Sequence, residues 1–138
     1  MLGVTERRSL DLPDTAVAVD EDSVRRLVRA LRELRPQLLF APHEKDVHPD
    51  HVAAAQLASK AWFFAGLRRY EPDLGEPHRP RMLIRYPGNI PAEPTFALDI
   101  SDPVAIAYTV PIPVAILIVA VGTIWLRFKN FDPVAVVE

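Results

Sequence analysis

The sequence predicts an α/β domain: a layered sheet with flanking helices that runs into an apolar tail. Three patterns predict it. Val24, Leu27, Val28, Leu31 and Leu34 recur at helical spacing. Residues 37–41 (QLLFA) and 82–86 (MLIRY) are apolar runs of strand length. Between those runs, the Ala-rich stretch after Pro49 is long enough for a second helix. Helices alternating with short buried strands are the pattern of an α/β layered sheet.

Each element has a local cause. Residues 9–12 read as a short strand, with a turn at Pro13-Asp14. Asp20 is placed to cap a helix whose first turn holds Glu21 and Asp22, where negative charge meets the positive end of the helix dipole. Arg25, Arg26, Arg29 and Arg32 fall mostly off the apolar stripe and read as a solvated face. Pro36 stops this helix. The run 37–41 then reads as a buried parallel strand. Residues 42–47 form a polar loop, and Pro49 suits the first position of the second helix, with His48 as its cap. That helix runs to Gly66 or Leu67, with Trp62, Phe63 and Phe64 read as core. A Pro- and Gly-rich loop leads to the strand at 82–86, and residues 95–100 (TFALDI) are a further strand candidate.

The tail differs from everything before it. Residues 103–126 carry no charge, and Arg127 and Lys129 follow. That is near the length of a bilayer span, but Pro111 and Pro113 interrupt it. Three readings stand: a membrane segment, a pair of buried strands rich in Val and Ile, or sequence read out of frame. The domain assignment is therefore residues 1–102 for the α/β domain and 103–138 for the tail.

Bulk composition narrows the function. The chain has 138 residues, enough for one domain; 49% are apolar and 25% charged. A formal net charge of −2 gives no field that would draw nucleic acid. Without cysteine there is neither a disulfide framework nor a thiolate metal site, which suits the cytoplasm. Any metal must be held by His, Asp or Glu. No Gly-rich phosphate loop appears.

The chemistry concentrates in residues 41–51, APHEKDVHPDH, where a buried strand gives way to a helix. Ligands in open α/β sheets bind beyond the carboxyl ends of strands. If Pro49 opens the helix, His48 and His51 project to one side of its first turn, and Asp50 lies between them. Two imidazoles in this relation suit a metal ligand beside a proton carrier. By spacing alone they equally suit a helix cap beside an exposed ring. His43 and Asp46 are minor candidates for a metal, His78 for a sugar pocket or a loop tie, and Asp99 for a structural strand end.

The segment APHEKDVHPDHVAAAQLA resembles the second signature of LmbE-like (PIG-L-type) zinc deacetylases, P-H-x-x-D-x-HPDH-x-x-A. The likeness extends over FFAGLRRYEPDLGEPHRPRMLIRYP, EPTFALDISD and LGVTERRSLDLPD, close to the branch that deacetylates N-acetylglucosaminyl malate in bacillithiol biosynthesis. The resemblance implies a Rossmann-like sheet and hydrolysis of the N-acetyl group of an N-acetylglucosamine conjugate. It implies His51 as a Zn2+ ligand. His48 would be the imidazole that stabilises the oxyanion and protonates the leaving amine, and Asp50 the carboxylate that orients His48.

The family's first signature, AHPDD after the first strand, supplies two more ligands and the general base, and nothing like it occurs here. The expectation is a partial Rossmann-like fold with its first strand missing, an incomplete zinc site and no activity as the fragment. Val47 stands where the family often has Arg, which weakens the case for an anionic substrate group. The expected partner is a small amino-sugar conjugate, without nucleic acid; a homo-oligomer is compatible, and membrane contact only through 103–126. The alternatives are a non-catalytic remnant or interaction module, and a membrane-tethered sugar deacetylase.

Overall fold

The computed structural model describes residues 6–96, 116–120 and 123–127. In chain order they form β1 (Glu6–Ser9), α1 (Glu21–Leu34), β2 (Leu38–Pro42), α2 (Pro49–Ala65), a 3₁₀ turn (Pro72–Leu74), β3 (Met82–Tyr86), β4 (Ile116–Ala120) and β5 (Thr123–Arg127). The five strands make one mixed sheet in the order β1-β5-β4-β2-β3. β2 runs parallel to both neighbours, with Leu38 opposite Met82 on one side and Ile116 on the other. β5 is antiparallel to β4 and to β1.

α1 forms where its cap and stripe place it. Asp20 Oδ1 accepts the Ser23 N–H at 2.8 Å, and that bond holds the Asp20 carboxyl below its usual range. Val24, Leu27, Val28, Leu31 and Leu34 are all buried. The helix ends at Arg35, in the left-handed region at φ 47, with Pro36 next. Leu27, Val28 and Leu31 of α1 have essentially no exposure, and the same holds for Leu39 of β2 and Leu57 of α2. Removing each such side chain from water is worth roughly 2 kcal/mol. Small residues Ala54, Ala55, Ala58, Ala61 and Ala65 line the buried side of α2 and let α1 and β2 approach closely.

Several elements differ from the sequence reading. The first strand lies at Glu6–Ser9 rather than 9–12, and Leu10 just after it is buried. Phe63 is half exposed, because α2 turns that residue away from the sheet, while Trp62 and Phe64 pack against the core edge. The strand candidate 95–100 lies largely outside the described residues, as does Asp99. Two described parts of the tail are strands, and β4 gives β2 a second parallel neighbour. β2 therefore keeps ladder partners on both sides. No described helix is long and apolar enough to cross a membrane.

The largest correction is Arg32. It is 3% exposed rather than solvated. Its Nε donates to Ala65 O, its Nη1 to Glu71 O and Gly75 O, and its Nη2 to Phe64 O, Leu67 O and Tyr70 O. The planar fork thus satisfies carbonyls left over at the end of α2 and closes the loop that follows. Replacing it with Met fills the space and strands those carbonyls. Arg32→Met is expected to lose about 2–4 kcal/mol of stability in urea unfolding, and Arg32→Lys to recover only part, because an ammonium cannot reproduce the fork.

Candidate active site

The site begins where β2 ends. Ala41 and Pro42 are buried, and the chain leaves the sheet at His43, whose N–H donates to Tyr86 O of β3 at 2.9 Å. Arg85, also on β3, ties this loop down. Its guanidinium donates to Pro42 O and Ala55 O, to Glu44 at 2.9 Å and to Ser59 Oγ. Burial pulls the Arg85 pKa below its usual value. One cation thus joins β3, the loop and α2.

α2 then opens at Pro49 with His48 as its cap. His48 Nδ1 accepts the Asp50 N–H at 3.2 Å. A ring nitrogen that accepts carries no proton, so in neutral His48 the proton sits on Nε2. His51, one turn on, stacks against it with ring centroids 4.8 Å apart and planes 21° from parallel. The sequence placed these two rings on one side of the helix start, and the structure brings them into contact.

Asp50 sits differently from what the resemblance implied. It is 2% exposed, and its carboxylate accepts the Thr15 N–H at 2.6 Å and the Val17 N–H at 3.1 Å. Its main chain orients His48; its side chain anchors the connection that precedes α1. Thr15 adopts φ 64, an unfavourable region for a β-branched residue, and the bond to Asp50 holds it there.

Asp46 was not singled out as a support, and it is one. Its side chain has no exposed surface. Oδ1 accepts from His48 N–H and from Asn89 Nδ2, both at 2.9 Å, and Oδ2 accepts from Asn89 N–H at 3.1 Å. His51 Nδ1 lies 3.1 Å from Oδ2, shielded from solvent but off the axis of a well-formed hydrogen bond. The Asn89 side chain first, then the His48 N–H, hold the Asp46 carboxyl far below the usual carboxylate range. The sequence signal was present in the spacing Asp46-x-His48, an Asx-turn pattern at a helix entry.

The remaining candidates separate from this cluster. His78 is a loop tie, with Nε2 2.7 Å from Pro36 O. His43 accepts the Lys45 N–H and edges a cleft of about 680 Å³ along β3, shared with Phe40, Trp62, Ile84, Tyr86 and Phe96. That cleft does not include His48, Asp50 or His51. Among the described residues no three His, Asp or Glu side chains gather to hold a metal ion, whereas a catalytic zinc takes about three protein ligands. The described residues do not by themselves supply such a set.

Residues 1–62 match the PIG-L family, described as GlcNAc-PI de-N-acetylase. Over those residues the chain is similar to members of the PIG-L family. A deacetylase of 1D-myo-inositol 2-acetamido-2-deoxy-alpha-D-glucopyranoside from Streptomyces scabiei (strain 87.22) is 38% identical over 80 residues, 56% of this chain and 24% of that protein. The conserved protein TT1542 from Thermus thermophilus has a similar solved structure, with TM-score 0.63 and 45% identity over 68% of this chain and 42% of its own. The chain thus spans less than half the length of either. Its family match covers His48, Asp50, His51 and Asp46 together.

The depressed Asp46 pKa sets a pH dependence. A carboxyl whose folded pKa lies below its unfolded value of about 3.9 stabilises the fold above that pH and loses the contribution as pH falls through the folded value. Asp46→Asn is expected to be less stable than the native chain at pH 7, with the gap closing below about pH 4. Urea unfolding across that range measures it; a gap independent of pH contradicts the account.

Proposed function

We propose that this chain is part of a PIG-L-type deacetylase and carries part of the centre for zinc-dependent hydrolysis of the N-acetyl group of an N-acetylglucosamine conjugate. The carrying observation is the stacked His48–His51 pair at the start of α2, beyond the carboxyl end of β2 and inside the family match. Zinc, when bound, would polarise the amide carbonyl and an attacking water. His51 would be one ligand, with Asp46 behind it in the manner of carboxylate-backed metal histidines. His48 carries its proton on Nε2. That N–H can donate to the oxyanion as the carbonyl carbon becomes tetrahedral; the proton that the general base takes from the attacking water would go to the leaving amine as the C–N bond breaks and acetate is released. The remaining ligands and the general base would come from outside the described residues.

Two conjugates are in view. The sequence resemblance favours N-acetylglucosaminyl L-malate, and the name of the Streptomyces relative favours an inositol conjugate. Val47 is 71% exposed beside His48 and offers no cation to a dicarboxylate, which supports the neutral inositol aglycone as the second reading.

Zinc titration of the full chain is expected to give one weak site that His51→Gln removes and His48→Gln leaves in place. Amine release from either conjugate is expected only when a peptide bearing the family's AHPDD segment supplies the other ligands, and not from His48→Gln. Zinc binding that survives His51→Gln, or amine release that survives His48→Gln, contradicts the assignment.

A further inference from the structure

The turn after β3 lies far from the HPDH segment in sequence and directly against it in space. Asn89 fastens both oxygens of Asp46, one through its main-chain N–H and one through its side chain. Gly88 packs so closely that a Cβ there would collide with Asp46 Oδ2 and come within 3.4 Å of His51 Nδ1. The glycine is required for space rather than for a left-handed backbone. Its absence of a side chain lets the carboxylate reach the imidazole.

We infer that the Gly88-Asn89 turn, acting through Asp46, locks His51 in the tautomer with its proton on Nδ1. A shielded ring nitrogen 3.1 Å from a carboxylate oxygen has two options. A lone pair there would set two acceptors face to face without water between them. An N–H there meets negative charge, and the imidazole keeps its lone pair at Nε2. Asp46 cannot turn away to relieve a mismatch, because Asn89 and the His48 N–H hold its oxygens. His48 is fixed the other way by the Asp50 N–H, with its proton on Nε2. The stacked rings therefore offer opposite functions, a lone pair from His51 and an N–H from His48. Gly88 and Asn89 are positioning residues for that difference. What the His51 lone pair is for rests on the deacetylase reading; the tautomer does not.

The test is long-range ¹H–¹⁵N correlation of the imidazoles in the ¹⁵N-histidine-labelled full chain, without metal, at a pH where the rings are neutral. His→Gln variants assign the signals. The native chain is expected to show His51 in the Nδ1–H form and His48 in the Nε2–H form. Gly88→Ala and Asn89→Ala are each expected to return His51 to the Nε2–H form that a free histidine prefers, with the His78 signal unmoved. Asn89 is exposed, so its variant keeps the test open if Gly88→Ala does not fold. A native His51 in the Nε2–H form overturns the inference, as does an Nδ1–H form that both variants leave unchanged. A chain that binds no zinc yet shows the Nδ1–H form would sink the proposed function and leave this inference standing.

Discussion

The buried carboxylate of Asp50 is the tie on which the rest of the site depends. Stripping a carboxylate of water is costly unless hydrogen bonds replace the lost hydration. Here the Thr15 and Val17 amides do so, and the N-terminus of α2 adds a favourable dipole. The bond joins residues 15–17 to the start of α2, across the stretch that contains α1 and β2. It fixes where α2 begins, and with it where His48 and His51 stand. Thr15 is held in a strained conformation by the same bond, so the local backbone and the site are set by one interaction.

Two arginines extend this logic. Arg32 gathers carbonyls at the far end of α2, and Arg85 fastens the near end to the loop and to β3. Between them runs an alanine-lined helix face with few large side chains to set its position. Helix packing through small residues permits close approach but specifies position weakly; directional hydrogen bonds from the buried Arg32 and the partly buried Arg85 supply what the alanines do not. The same division appears at the site, where Asp46 and Asn89 aim a ring that packing alone would leave free to rotate.

The helices, β2, β3 and the His48 cap could be read from the sequence because each has a local cause: a cap residue, a proline at the first helical position, an apolar period or run. Arg32 could not. Its place on the helix looks like that of its solvated neighbours, and only the loop folding back over it makes it a core residue. The Asp50 carboxylate was misplaced for a related reason. The resemblance named the residue, but its partner amides come from residues 15 and 17, and a sequence pattern does not show which backbone groups arrive. Gly88 and Asn89 carry no local sign of their role, since nothing in the sequence says that this turn is pressed against a distant carboxylate. Long-range polar contacts between segments were the part the sequence withheld.

The central claim is that His48 and His51 form one ordered unit at the start of α2. Nuclear Overhauser effects between their ring protons in the metal-free chain test it most directly. Rings stacked with centroids 4.8 Å apart must give strong cross-peaks. Absent cross-peaks, with both rings showing the averaged shifts of free histidine side chains, would contradict the account.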